Sequence, residues 1–336
     1  MNPPGTPTPP AILDARVLEI DAAAVVTQVR SRLREILAQD LSRRGLVVAI
    51  SGGIDSSVCA ALAVQAVGVQ RVYGMLLPER DSAGASTARG RELAEHLGIR
   101  HEVFDIAPTL EAIGCYRWRD EAIRRIFPGY GPDWKSKIVI SGGAEGRLNH
   151  FQLVVQAPGG EMQQARLGAP EYLQIVAATS FKQRIRKTVE YFHADRLNYA
   201  VVGTPNRLEY DQGFFVKNGD GSADVKPIAH LYKSQVYALA HHLRLPADIC
   251  NAVPTTDTYS LAQGQDEFYF ALPYQQMDLA LWAHNHGCSP AQLAAALGIG
   301  EEQAAYVYRD IEAKRRTTRY LHLKPVLLEP LPELAV

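Results

Sequence analysis

LVVAISGGIDSSVCAALAVQA, Leu46 to Ala66, is the stretch from which the fold can be read. Leu46 to Ile50 is an unbroken apolar run of strand length, the pattern of a strand covered on both faces. Ser51-Gly52-Gly53 ends it, and Val58, Ala61, Leu62, Val64 and Ala66 set a helical pattern directly afterwards. Strand, glycine loop and helix therefore follow one another. The same rhythm extends outward. Val25, Val26, Val29, Leu33, Ile36 and Leu37 recur at helical spacing ahead of the strand, with Arg30, Arg32 and Arg34 on the polar face. RVYGMLLP (71–78) reads as a second strand, STARGRELAEHLGI (86–99) as a helix, and HEVFDI (101–106) as a third strand. Further on, Lys182 to Asp195 reads as helix, LNYAVVGT (197–204) as strand, and Lys233 to Leu243 as a helix stopped at Leu245-Pro246. Strands alternating with helices imply an α/β fold: a doubly wound, mainly parallel sheet with helices on both faces.

One region breaks the rhythm. KIVIS (137–141), FQLVVQAP (151–158) and EMQQARL (161–167) are separated by Gly142-Gly143 and Gly159-Gly160, the pattern of a small antiparallel insertion of two or three strands. MNPPGTPTPP, with five prolines in its ten residues, holds almost nothing to bury. The expected organisation is a flexible Pro-rich tail over 1–20 and a single domain over 21–330, with the insertion at about 115–179. With 35 Lys and Arg against 36 Asp and Glu, the formal charge is −1, and there is no global field to hold a nucleic acid. No apolar run reaches the length of a membrane span, and the N-terminus lacks the basic and apolar regions of a signal peptide, so a cytoplasmic protein is expected. Cys59, Cys115, Cys250 and Cys288 form no CxxC pair and do not suggest a disulfide framework.

The chemistry centres on AISGGIDSS: Ala49, Ile50, Ser51, Gly52, Gly53, Ile54, Asp55, Ser56 and Ser57. Two glycines let backbone approach a ligand, three hydroxyls flank them, and the helix N-terminus offers free N–H groups, which together make a phosphate cradle. The Walker spacing and its lysine are missing, as is G-x-G-x-x-G. Asp55 facing phosphates would be repelled unless a cation lay between them, which gives it a natural role in holding Mg²⁺. Two other motifs read more plainly. HNHGC (284–288) is spaced too tightly for a usual zinc pair and reads as a helix end, and the basic run KRRTTRYLHLK (314–324) reads as a helix end or anion pocket.

These residues resemble the pyrophosphatase loop, SGGxDS, of the adenine-nucleotide alpha hydrolase superfamily, whose members cleave ATP between its α and β phosphates. VVGTPNRLEYDQGFFVKNGDGSADVKPIAHLYKSQVYALA, Val201 to Ala240, resembles the signature of NAD synthetases. The resemblance covers roughly residues 20 to 110 and 178 to 320. It implies an ammonia-dependent, two-step ligase: the nicotinate carboxylate of deamido-NAD is adenylated by Mg·ATP, and ammonia then releases AMP. By the same resemblance Asp55 and Glu209 hold Mg²⁺, Thr204 and Thr255 contact ATP, and Lys233 touches its phosphates. Arg184, Lys217, Asp224 and Lys314 contact deamido-NAD, and Asp55, Lys217 and Lys233 form the catalytic set. A homodimer is implied, with the dinucleotide subsite completed across the subunit boundary, as is a separate glutaminase as a possible ammonia source. There are departures at Ala313, Thr317 and Thr318, at Arg89 where an acidic residue is common, and throughout PERDSAGAST (78–87). The alternatives are an amide ligase of the same fold acting on another carboxylate chosen by the insertion, and a nucleotide-binding module with a lapsed site. The insertion itself is expected to be either a lid over the acceptor or an outward hairpin. In the lid reading Tyr116, Trp118, Tyr130 and Trp134 stack on a ring, and Arg117, Arg119, Arg124 and Arg125 pair with anions.

Overall fold

The computed structural model describes residue 10 and residues 12–141, 150–252, 259–261, 264, 269–270 and 272–331. Four strands, β1 (Leu46–Ala49), β2 (Val72–Leu76), β3 (Arg100–Val103) and β7 (Ala200–Val202), form a parallel sheet in the order β3-β2-β1-β7. The order reverses at β1: the chain first builds outward to β2 and β3, then returns to add β7 on the other side. A crevice opens at such a switch point, at the carboxyl ends of the strands.

Alternation of side chains divides the core into two layers. Leu46 and Val48 face one side and pack with α1 (Ala22–Glu35), α2 (Ile54–Val67) and α8 (Lys233–His242). Val47, Tyr73, Met75 and Val201 face the other and meet α4 (Ala107–Ala112), α5 (Cys115–Arg124) and α6 (Ala169–Leu197). Leu46, Val47 and Val48 have no exposed surface, and each such side chain contributes about 1.5–3 kcal/mol, which fixes β1 at the centre. Between β2 and β3 lies α3 (Gly84–His96); α7 (Arg207–Gln212) follows β7, and α9 (Ala247–Cys250) follows α8. The C-terminal helices α10 (Tyr274–Asn285), α11 (Pro290–Leu297) and α12 (Glu301–His322) gather around a separate apolar cluster. Leu13 and Leu18 are buried in that cluster, and Ala15–Leu18 forms a 3-10 turn, so part of the stretch expected as tail is packed.

The expected antiparallel insertion is a three-stranded sheet, β4 (Lys135–Ser141), β5 (His150–Gln156) and β6 (Met162–Arg166), in that order. Its inner face has its own core, in which Ile138, Leu153 and Val155 meet Ala122, Ile123 and Ile175. Two boundaries differ from the sequence reading. Residues 115–124 are the helix α5, and the helix expected from Lys182 begins at Ala169, thirteen residues earlier. Pro170 at the first turn suits a helix start, and Ile175, Ala178, Thr179 and Lys182 bury one face of α6 from there on. The aromatic and basic residues expected to meet a ligand are instead structural. Tyr116 and Tyr130 are buried, Trp118 stacks on Phe181 at 5.7 Å, and Trp134 packs against Tyr130. Arg117 pairs with Glu121, Arg119 binds Asp81 and Asp120, Arg124 donates to the Tyr130 carbonyl, and Arg125 pairs with Glu171. None of these eight residues lines the main cavity, and most of them are held by packing or ion pairs.

Candidate active site

The turn after β1 is held by its own hydroxyls. Ser56 Oγ donates to the Gly53 carbonyl at 3.0 Å and Ser57 Oγ to the same oxygen at 2.8 Å, while Gly53 N donates to Ser51 Oγ at 3.2 Å. Gly52 has φ +79°, and a Cβ there would lie 2.2 Å from the Ser86 carbonyl oxygen at the start of α3. Only glycine fits that approach. Arg89 of α3 locks it further, donating from Nε to the Gly52 carbonyl at 3.2 Å and from Nη2 to Ser86 Oγ at 3.3 Å. The loop thus presents the N-terminus of α2 to open space.

Asp55 stands on the first turn of α2 and connects three elements. Its carboxylate pairs with Lys233 Nζ at the N-terminus of α8, and its Oδ1 accepts from Asn206 Nδ2 at 3.0 Å. Asn206 caps α7: its Oδ1 accepts from Leu208 N and Glu209 N, while Glu209 Oε2 accepts from Asn206 N at 3.2 Å. This reciprocal capping box brings Glu209 toward the loop. Burial works against the charge on Lys233, but the Asp55 and Glu209 carboxylates outweigh it and hold the ammonium above the ordinary lysine value. Behind it, Asp278 of α10 accepts from Lys233 N at 3.2 Å and Ser234 N at 2.7 Å, fixing the end of α8. Burial pushes that carboxyl up to about 6 despite those bonds.

These groups open onto a cavity of about 970 Å³. Its floor is residues 49–56 with Thr204 and Glu209 at the β1/β7 switch; α12 supplies Asp310, Lys314, Thr317 and Thr318; and Ile140 and Phe151 of the inserted sheet reach its far wall. Along one side runs a single stripe of α6, Tyr172, Val176, Thr179, Gln183, Arg186, Lys187 and Glu190. Eighteen residues of helix make that wall about 27 Å long. Lys314 Nζ donates to the Tyr269 carbonyl at 2.6 Å and pairs with Asp310 at 2.5 Å, and burial lowers its pKa in spite of Asp310. A Cβ on Gly213, at φ +70°, would lie 2.3 Å from Thr318 Cβ, so α7 and α12 meet there through a glycine.

The structure brings together Ala49 to Ser56, Thr204, Glu209, Lys233 and Lys314, with Ser57 buried immediately behind them. Three expected contacts lie elsewhere. Arg184 is exposed and donates to the Lys217 carbonyl; Lys217 Nζ donates to the carbonyls of Tyr320 at 2.7 Å and Leu323 at 3.2 Å; Asp224 accepts from Val201 N at 2.7 Å and from the Tyr191 hydroxyl at 3.2 Å. Thr255 lies outside the described residues. Arg89, Arg186 and Lys187, which line the cavity, and Asn206 and Asp278, which support Asp55 and Lys233 from behind, were not singled out in the sequence for those places. The N-x-x-E spacing of Asn206 and Glu209 is the one local signal that pointed to any of them. HNHGC ends α10, with His286 stacked on Trp282 at 3.8 Å, and no group of three or more His, Cys, Asp or Glu forms a metal site among the described residues.

The sequence matches the family described as NAD synthase over residues 25–124 and 151–319, leaving out 125–150 at the inserted sheet. The NH(3)-dependent NAD(+) synthetase of Rhizobium meliloti is 56% identical over 324 residues, 96% of this chain and 97% of that protein, a span too complete to omit the insertion. The protein of the same name from Thermotoga maritima is 37% identical over 72% of this chain and 81% of its own length. Among solved structures, the NH3-dependent NAD synthetase of Campylobacter jejuni (TM-score 0.60, 19% identical, 92% of this chain and all of that one) shares the fold. So does the NMN synthetase of Francisella tularensis (TM-score 0.62, 21% identical, 93% and 99%). With a glycine loop at a strand switch point, a family match over most of its length and a relative identical at more than half the aligned positions, the chain belongs to the NAD synthase family.

Proposed function

We infer that the chain is an ATP-dependent amide ligase that converts the nicotinate carboxylate of deamido-NAD into the amide of NAD, with ammonia as the nitrogen donor and AMP and pyrophosphate as products. The observation that carries this reading is the loop Ser51–Ser57 facing Lys233 and Glu209 in one cavity, on a chain of this family. In the first step a carboxylate oxygen attacks the α phosphorus of ATP and the bond to pyrophosphate breaks. Ammonia then attacks the acyl carbon, and the carbon–oxygen bond to AMP breaks. The protein's part is to position the reactants and to neutralise charge, and no side-chain nucleophile is needed.

In this proposal the loop N–H groups and hydroxyls hold the phosphates to be expelled, Lys233 offsets their charge, and Thr204 and Thr255 contact the nucleotide. Asp55 and Glu209 suit Mg²⁺, an ion that takes one or two carboxylates and completes its shell with phosphate oxygens and water. When bound, it would neutralise the triphosphate. Lys314, with Arg186 and Lys187, faces the acceptor's anionic groups; Arg184, Lys217 and Asp224 lie outside the cavity of a single chain. The nucleophile must be neutral ammonia, so ammonium gives up a proton before the attack.

We further propose one catalytic domain that takes in the packed Leu13 and Leu18 and runs to about residue 330, a homodimer and a cytoplasmic setting, with free ammonia or a separate glutaminase as the nitrogen source. Leu173, Phe192 and Trp118, exposed on and beside α6, support a second copy covering that face. No helix among the described residues is long and apolar enough to cross a membrane. The test is AMP formation from ATP and deamido-NAD with ammonium. The reading fails if purified protein releases no AMP with deamido-NAD while another carboxylate supports turnover.

A further inference from the structure

Most cations that line the cavity already have a carboxylate. Lys233 is tied to Asp55, Lys187 to Glu190 and Lys314 to Asp310. Arg89 of α3 is different. A guanidinium carries five N–H donors, and two of them are engaged, from Nε to the Gly52 carbonyl at 3.2 Å and from Nη2 to Ser86 Oγ at 3.3 Å. Both partners are neutral, and the other three donors meet no acceptor among the described residues. Glu92 and Asp248 border a small hollow beside Arg89, yet neither forms an ion pair with it. An uncompensated positive charge therefore stands against the glycine loop, next to the positive end of α2, an arrangement that only a bound anion relieves.

We propose that Arg89 is a phosphate-binding residue: its free N–H groups hold the pyrophosphate end of ATP from the α3 side, while its Nε keeps the Gly52 carbonyl oxygen occupied and away from that charge. The inference rests on the reading of ATP as co-substrate and adds a residue to its leaving-group site. Place selects the occupant. Arg89 is bonded to the loop itself, whereas Arg186, the other cavity arginine without a carboxylate partner among the described residues, is held at the Leu77 carbonyl after β2. Its two bonds also fix the guanidinium before anything binds, so little side-chain freedom remains to be lost. When the bond from the α phosphorus breaks, its electron pair stays on the bridging oxygen and the pyrophosphate gains negative charge. A fixed guanidinium beside it stabilises that change more than the starting ATP, which favours the forward step.

Inorganic pyrophosphate is the probe, because it carries the charge and none of the nucleoside. In calorimetric titration of the full-length chain it should bind Arg89→Met about tenfold or more weakly than wild type, the scale of one charge-assisted contact. Arg89→Lys, which keeps the charge without the fork, should recover part of that loss. AMP, which lacks the β and γ phosphates, should bind all three proteins alike. A second measurement needs no variant to fold: pyrophosphate should slow the modification of Arg89 by phenylglyoxal in wild-type protein, read by mass spectrometry of its peptide. Undiminished pyrophosphate affinity in folded Arg89→Met overturns the proposal, as does modification of Arg89 at full rate under saturating pyrophosphate. So does a loss that lysine fails to recover and that comes with faster hydrogen exchange at the amides of residues 51–57 in the free variant, since Arg89 would then only brace the loop. Failure of the functional reading itself would appear earlier, as wild-type protein that binds neither ATP nor pyrophosphate.

Discussion

The two ends of the cavity are built by opposite means. At the inner end, contacts are short in sequence and polar: Ser51, Gly53, Ser56 and Ser57 bond one another within seven residues, and the strand that carries them is buried on both faces. At the outer end, Phe151 comes from a sheet with its own core and Tyr172 from the first turn of a helix that continues past the phosphate loop. The difference separates tasks. In the proposed reading the inner end would hold the triphosphate, and the outer end, built from other elements, could vary without disturbing it.

Between the two ends stands a buried ionic joint. Lys182 of α6, with no exposed side-chain surface, pairs with Glu79 at 2.9 Å and Asp81 at 2.8 Å in the turn after β2, and Arg119 of α5 pairs with Asp81 at 2.6 Å. The largest effect should come from breaking it. Lys182→Met leaves two enclosed carboxylates facing each other and should cost about 3–5 kcal/mol of stability in urea unfolding. Adding Glu79→Gln should recover part of that loss. A Lys182→Met protein as stable as wild type would mean that the two ends are not joined here.

Next in size is the inner end. Asp55→Asn should lower pyrophosphate release by roughly 10²–10³-fold, the scale of removing one preorganised electrostatic contact, with Glu209→Gln acting in the same direction. Near-normal turnover in either would remove both carboxylates from the proposed metal role.

A pH titration sharpens the joint further. Burial alone would raise the Asp81 carboxyl, but Lys182 and Arg119 overcome it and bring it down to about 2, from an ordinary value of 3.8. A carboxyl lowered in the folded state stabilises the fold fully above about pH 4, and that contribution fades as the pH falls toward 2. The stability gap between wild type and Asp81→Asn should therefore shrink over that window by on the order of 2 kcal/mol. A gap constant from pH 5 to 2 would contradict the pairing. The smallest effect belongs to the outer end. Ile138→Val, in the core of the inserted sheet, should cost about 1 kcal/mol and leave KM for ATP unchanged. A shift in that KM would show the ends to be coupled.

Sequence legibility followed the same division. The loop, its strand and its helix could be read because their signals are adjacent: an apolar run, two glycines and a helical period in twenty-one residues. Asp55 and Lys233, 178 residues apart, were placed in one site only through resemblance, since neither spacing nor period reports a contact of that range. The antiparallel sheet was visible as strand-length runs set apart by glycine pairs in the sequence. Its role was not, because alternation shows which residues share a face and not which face meets a cavity. Tyr116, Tyr130 and Arg119 have the chemistry of recognition, yet burial and ion pairing use them for packing, while Phe151 and Tyr172 carried no mark at all. Arg89, a departure from the family pattern, donates to the Gly52 carbonyl and supports the glycine loop.

The central claim is that the acceptor's carboxylate is adenylated and then displaced by ammonia within this cavity. Deamido-NAD carrying oxygen-18 in its nicotinate carboxylate tests it directly. If the carboxylate attacks the α phosphorus and ammonia later breaks the acyl carbon–oxygen bond, one labelled oxygen must leave with the nucleotide. Mass spectrometry of the products should then find AMP carrying one oxygen-18 for each NAD formed, with unlabelled pyrophosphate. AMP without label, or label in the pyrophosphate, would contradict the account.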